Sequence, residues 1–185
     1  MEKNHYGNKM ELINSNIEVK SVSIITPSYN SVKYIGKTID SVLSQTYRNW
    51  EMIVVDDVSL DNSNEIIEEY CKKDSRIKLI KLEKNSGAAV ARNRAIKEAK
   101  GRYIAFLDAD DLWNEEKIEK QIRFMKDNGY EFTFTGYEFV DENGIDNKKI
   151  VKVPEKINYR QALKNTTIFT STVIFDVEKL GKGLI

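Results

Sequence analysis

A doubly wound α/β domain, its mostly parallel sheet covered by helices on both faces, is the fold class the sequence predicts. Between Ser21 and Lys126, short β-branched runs alternate with helical periodicity four times in succession. That is the pattern of parallel strands joined by right-handed helical crossovers. The 185 residues are 41% hydrophobic, with 2 Trp, 9 Tyr and 7 Phe against only 2 Pro, so the chain can fill the core of one domain.

Ser21 to Thr26 (SVSIIT) reads as a buried strand stopped by Pro27. From Ser31 to Gln45, Ile35, Ile39, Val42 and Leu43 recur at helical spacing. Trp50 to Val55 is the second strand, and Ile66, Ile67, Tyr70 and Cys71 mark the second helix. Ser59, Asp61 and Ser63 are its available N-caps. Ile77 to Leu82 alternates apolar and basic residues, as an edge strand does. Ala88 to Ala99 is an Ala-rich helix with Gly101 in the expected stop position. Arg102 to Leu107 is the fourth strand, followed by a helix from Asn114 to Lys126 carrying Ile118, Ile122 and Met125.

The pattern then changes to an α+β tail, expected to extend the sheet with antiparallel strands. Glu131 to Val140 reads as one long aromatic strand, followed by the turn signal Asp141-Glu142-Asn143-Gly144 and a strand from Lys149 to Val153. A short helix at Tyr159 to Lys164 and a strand from Ser171 to Phe175 complete it. Residues 1–20 form a polar leader, expected to be flexible, and residues 21–185 a single domain without internal repeats.

Composition excludes several function classes. With 29 basic and 29 acidic side chains, bulk electrostatics do not favour nucleic acid as a partner. The one histidine, His5, lies in the leader, and Cys71 has no partner, which argues against histidine-assisted hydrolases, a zinc site and a disulfide. Cys71 falls on an apolar stripe and reads as a buried, inert thiol. Any metal should be a hard cation held by oxygen, magnesium or manganese. No apolar run approaches the roughly 20 residues of a membrane span, and the leader lacks a secretory block. A reducing, cytoplasmic setting is expected, with peripheral membrane association still open.

Ligands of open parallel sheets bind at the carboxyl ends of the strands. There the sequence places Thr26-Pro27-Ser28-Tyr29-Asn30 after the first strand and Asp56-Asp57 after the second. Asp108-Ala109-Asp110-Asp111 follows the fourth. Five carboxylates on one rim need a cation or hydrogen-bond donors to be tolerated. Phosphate-loop signatures are absent: Gly36-Lys37-Thr38 falls inside a predicted helix with Ser31 at the earlier glycine position, and Gly181 and Gly183 precede no helix.

The succession TPSYN, SVLSQTY, WEMIVVDD with the following Ser and DNS, NSGAAVARN and GRYIAFLDADD resembles family 2 glycosyltransferases of the GT-A fold, from Val22 to about Phe175. The resemblance implies inverting, metal-dependent transfer of a sugar from a nucleotide-sugar donor, a UDP-hexose or UDP-N-acetylhexosamine. It implies a glycan or lipid-linked acceptor and a place in cell-surface polysaccharide biosynthesis. It further implies Asp110 as direct ligand of Mn2+ or Mg2+, Asp108 at the ribose or metal shell, and Asp111 supporting that shell. Asp57 would accept a hydrogen bond from uracil and Tyr29 would pack on the base. Thr26 and Pro27 would shape the pocket, and Gly87 and Arg92 would face the nucleotide.

Plainer roles stand beside these: an acidic helix start before Asn114, turn capping by Asp56 or Asp57, rim packing by Tyr29 and a solvated Arg92. Phe132, Phe134, Tyr137 and Phe139 read either as an acceptor surface or as plain core. A magnesium-binding receiver domain is the alternative fold-level reading, although a complete strand-helix unit precedes Asp56-Asp57. A nucleotidyltransferase would need a glycine-rich basic loop where TPSYN stands. The resembled family places its general base in an acidic motif beyond the strand at Ser171 to Phe175. Here only Asp176 and Glu178 follow that strand. The expectation is therefore a C-terminally incomplete domain that binds donor but transfers sugar poorly.

Overall fold

The computed structural model describes residues 21–140, 146–162 and 168–181. The polar leader, the turn signal at 141–144, Lys164 and Gly183 lie outside the described residues. Four parallel strands form the centre: β1 (Val22–Ser28), β2 (Trp50–Asp56), β3 (Ile77–Lys81) and β4 (Tyr103–Phe106). They are joined by α1 (Ile35–Leu43), α2 (Ser63–Lys73) and α3 (Ala88–Glu98), and β4 leads into α4 (Lys117–Asn128). β5 (Phe132–Thr133) and β8 (Ile174–Asp176) complete a six-stranded sheet in the order β3-β2-β1-β4-β8-β5. β8 runs antiparallel to both of its neighbours. β6 (Tyr137–Val140) and β7 (Asp146–Val151) form a separate two-stranded ribbon. Two short helices, α5 (Tyr159–Ala162) and α6 (Val177–Leu180), and a 3-10 turn at Thr170–Thr172 make up the rest.

The burial of the central strand follows from its position. All seven β1 residues are buried, as a central strand covered on both faces requires. One layer of core joins Val22, Ile24, Met52 and Val54 to Ile35 and Ile39 of α1, Ile67 of α2 and Ile118 and Ile122 of α4. The other joins Ile25, Ile53, Val55 and Ile104 to Ala91, Ala95 and Ile96 of α3. The chain crosses from one face to the other between β3 and β4, so β1 and β4 flank the point where strand order reverses. Cys71 is half-buried rather than buried, and burial, with the nearby Glu68 charge, pushes its thiol pKa up. An inert thiol is the result.

Four expectations need correction. Pro27 does not stop β1. Leu107 N–H donates to Ile25 C=O and Asp57 N–H to Ser28 C=O, so alternation turns Pro27 toward β4. The β1–β4 pairing ends at Ile25 opposite Phe106, and the missing N–H of Pro27 breaks no ladder bond. Gly101 does not cap α3, whose C-cap Ala99 is extended. A Cβ at Gly101 would lie 2.6 Å from Ser23 N, so the glycine permits close approach to β1. The long aromatic strand divides into β5 and β6 around Gly136, where a Cβ would stand 2.9 Å from Val151 O of the ribbon partner. Finally, Ser171 and Thr172 lie in the 3-10 turn and β8 begins only at Ile174, because Thr172 Oγ1 and N–H both donate to Phe169 C=O.

One buried lysine gives a pH-dependent stability term. Lys117 opens α4 with its amine 4.4 Å from the Trp113 ring centre and 2.5 Å from Gln121 Oε1. Part of the residue reaches solvent, but the amine is enclosed, and burial pushes its pKa down to about 7. Since the folded pKa lies below the unfolded one, the charged form is penalised in the fold. That penalty is complete below about pH 7 and fades as pH rises toward 10. Lys117→Met is expected to flatten the rise of stability with pH across this window. At pH 7 it should raise the thermal midpoint by roughly 2–8 °C, a net gain of about 1–2 kcal/mol after the lost cation–π and amide contacts. Calorimetric scans at pH 6, 7, 8 and 9 measure both effects, and parallel curves for variant and wild type would refute them.

Candidate active site at the strand ends

Beyond Ile25 and Phe106, β1 and β4 part, and a cleft of about 320 Å³ opens at their carboxyl ends. Pro27, Tyr29, Asp57, Arg92, Asp108 and Asp110 line it, six of the residues singled out from sequence. Asn30, Ser31, Tyr34, Ala88 and Ala109 line it as well. None of the five is charged; Asn30, Ser31 and Ala109 follow strand ends closely, while Tyr34 and Ala88 sit at the starts of α1 and α3.

The turn after β1 owes its shape to bonds with residues 59 to 63, at the approach to and start of α2. Ser31 N–H donates to Ser63 Oγ at 2.8 Å, Val32 N–H to Asp61 Oδ2 at 3.1 Å and Asn30 N–H to Ser59 Oγ at 3.0 Å. Asn30 adopts a left-handed backbone (φ 48°) and accepts Leu60 N–H on Oδ1. These bonds present Tyr29, 50% exposed, on the wall of the cleft. Val58, also left-handed (φ 66°), is a strained β-branched residue immediately after Asp57.

The two aspartates after β2 divide their work. Asp56 accepts Ser59 N–H, Ser59 Oγ and Asn64 Nδ2, an entirely structural turn role. Asp57 is 3% exposed, and its two oxygens accept the N–H groups of Ser86 and Gly87, each at 2.7 Å. A carboxylate has about four lone-pair sites, so Asp57 retains acceptor capacity where it lines the cleft. Gly87, with φ 86°, is held away from the lining, while Ala88, the first residue of α3, reaches it. The first turn of α3 contains no acidic residue, but the Asp57 carboxylate already takes the Ser86 and Gly87 amides at its start, so the positive end of α3 is partly neutralised from within the fold.

Arg92, one turn into α3, pairs with Asp108 at 2.5 Å, and both side chains are partly exposed. Its Nε is buried and has no hydrogen-bond partner among the described residues. The four acids near the cleft thus stand in four different environments. Asp57 is tied to backbone amides and Asp108 to Arg92. Asp111 accepts the Ser171 hydroxyl and does not line the cleft. Burial holds its carboxyl above the usual range, the Asp110 and Asp108 charges add to this, and the Ser171 bond opposes it. Asp110 is exposed in the cleft without a hydrogen bond or ion pair among the described residues.

Among the described residues, no three carboxylate, thiol or imidazole groups converge as a metal cage. A magnesium-type ion needs no such cage, because it retains water and takes one or two carboxylates beside substrate phosphates. Asp110, exposed in a cleft that Arg92 and the first residue of α3 also line, fits that mode. Thr26 stands apart, fully buried on β1, outside the cleft lining and with no hydroxyl partner among the described residues.

Asp176 and Glu178 lie at the opposite end of the sheet. β8 runs antiparallel to β4, so Asp176 faces Tyr103, the first residue of β4, whereas Asp108 follows the last. Arg102 holds both carboxylates, at 2.7 Å and 3.0 Å. Neither is placed to act in the cleft. Phe134 packs against the α3-side core, whereas Tyr137, Phe139 and Phe169 form a ring cluster beside the 3-10 turn, with centroids 4.5 to 6.4 Å apart.

A family model described as Glycosyl transferase family 2 matches residues 23–178. TuaG of Bacillus subtilis, a glycosyltransferase named for teichuronic acid biosynthesis, is 50% identical over 87% of this chain and 64% of its own length. The Escherichia coli UDP-Glc:alpha-D-GlcNAc-diphosphoundecaprenol beta-1,3-glucosyltransferase WfgD is 48% identical over 84% of this chain and 60% of its own. The chain therefore spans less than two thirds of the length of these curated relatives. Among solved structures, S. aureus TarS in complex with UDP-GlcNAc superposes with a TM-score of 0.73 and 28% identity over 89% of this chain and 48% of that one. A Pyrobaculum calidifontis mannosyltransferase shares the fold, with a TM-score of 0.64 and 21% identity over 86% of this chain and 46% of that one. Among the described residues, no helix is long and apolar enough to cross a membrane. The GT-A fold expected from the motifs is borne out, the receiver alternative falls, and the chain belongs to glycosyl transferase family 2.

Proposed function

We propose that the cleft binds a UDP-sugar with a divalent cation, and that the whole protein transfers the sugar, with inversion, to a glycan or lipid-linked acceptor of a surface polysaccharide. One observation carries this reading: Asp57, Tyr29, the Arg92–Asp108 pair and the exposed Asp110 surround one cleft at the point where strand order reverses. Asp57 accepts the uracil N3 proton, Tyr29 covers the base, and Asp108 with Arg92 meets the ribose and phosphates. The end of α3 stabilises the diphosphate, and Asp110 holds Mn2+ or Mg2+. Such an ion, when bound, neutralises charge developing on the leaving diphosphate. Deprotonation of the acceptor hydroxyl needs a carboxylate other than Asp176 and Glu178, both of which Arg102 occupies away from the cleft.

A panel of nucleotide sugars, followed by thermal shift with and without manganese, tests the reading. A UDP-sugar at 100 times its Kd should stabilise the fold by about 2.7 kcal/mol. For a chain of this size that is a rise of roughly 5–10 °C in the midpoint. GDP- or ADP-sugars matching the UDP-sugars, or no shift with any donor, would sink it.

A further inference from the structure

We infer that Ser171 is a positioning residue for the cation-binding loop, and that Asp111 serves as its anchor there and not as a metal ligand. This rests on the donor-binding reading above. The loop from Asp108 to Trp113 carries Asp108 and Asp110 into the cleft, and within its own length holds itself by one backbone bond, Asp111 N–H to Asp108 C=O at 3.1 Å. Ser171, some sixty residues later, fastens it at three further points. Its hydroxyl accepts Asp108 N–H at 3.0 Å and donates to Asp111 Oδ2, and its carbonyl accepts Trp113 Nε1 at 2.8 Å.

A single hydroxyl has one proton and two lone pairs. Ser171 spends the proton on the Asp111 carboxylate and a lone pair on the Asp108 amide, so it sets both ends of the Asp108-Ala109-Asp110-Asp111 turn. Ser171 is buried, and Trp113 is buried beside it, so water does not readily replace these bonds. Asp110, between the fastened points, is the one acid of the loop without a partner among the described residues. With the Asp108 carboxylate on Arg92 and that of Asp111 on Ser171, Asp110 is the carboxylate of this turn left to a cation, and Ser171 shares the holding of the backbone beside it with Thr38, whose hydroxyl donates to Ala109 C=O at 2.9 Å. Asp111, turned to Ser171 and off the cleft lining, is not oriented to share that ion.

The test uses the full 185-residue chain. Calorimetry measures UDP with manganese and uridine monophosphate without metal, for wild type, Ser171→Ala, Ser171→Thr, Asp111→Asn and Asp110→Ala. Hydrogen exchange measures the Asp108 amide in the free proteins. Ser171→Ala should lose at least about 10-fold of the manganese-dependent UDP affinity, leave the metal-free affinity for the monophosphate unchanged, and speed exchange at Asp108. Ser171→Thr retains the hydroxyl and should restore both. Asp111→Asn can still accept the Ser171 proton without its charge, and should stay within about 3-fold of wild type. A purely structural role for Ser171 would lower both affinities together and so overturn the inference. Loss of the manganese effect in Asp111→Asn as complete as in Asp110→Ala would make Asp111 a ligand, with the same result. If wild type shows no manganese-dependent affinity, the donor reading fails and the positioning role with it. Exchange at Asp108 then separately reports whether the clamp exists.

Discussion

Asp110→Ala is expected to lower manganese-dependent UDP affinity by about 100-fold or more, while the free protein keeps its thermal midpoint. The first half follows from the worth of an ion bridging a diphosphate, several kcal/mol at about 1.4 kcal/mol per tenfold. The second follows from exposure: Asp110 is open to solvent and makes no hydrogen bond or ion pair among the described residues, so its loss breaks nothing in the fold. Titrations of wild type and variant with UDP, each with and without manganese, isolate the metal-dependent part. Equal affinities in the presence of manganese would remove Asp110 from the cation site.

Asp57→Ala is expected to cost both selectivity and order. Wild type should prefer UDP over CDP by roughly 10- to 100-fold, since cytosine presents an acceptor to the carboxylate and leaves it unpaired, at about 1–3 kcal/mol. In the variant that ratio should fall toward one. The substitution also frees the Ser86 and Gly87 amides, so the start of α3 should exchange faster even without ligand. Competition titrations with UDP, CDP, GDP and ADP, paired with exchange at residues 86–91, separate the two effects. A variant that still prefers UDP would move base recognition elsewhere in the cleft, to Tyr29, Asn30 or Tyr34.

These two expectations show how far local information reaches. The sequence by itself determined the four strand-helix units, the crossing of the sheet and the family. Each rests on short-range patterns: β-branched runs, helical spacing, and acids at the ends of predicted strands. The same patterns placed Asp57, Asp108 and Asp110 on one rim, because the ends of parallel strands share a side of the sheet. What each acid does there was decided by the partner it meets, near in sequence for Asp56 and distant for Asp57, Asp108 and Asp111. Asp56 and Asp57 are adjacent and chemically identical, yet one closes a turn with Ser59 while the other receives amides from 86 and 87. Asp111, next to the exposed Asp110, turns off the cleft to meet Ser171. Thr26 and Pro27 are both buried on β1, but only Pro27, one residue nearer the strand end, lines the cleft. The division of the aromatic strand at Gly136 is likewise set by Val151 across the ribbon. Local periodicity specifies which elements form and which end of the sheet they reach. Hydrogen bonds closed across 16 to 63 residues exist only once the sheet has assembled, and they set the surroundings and direction of Asp57, Asp108 and Asp111.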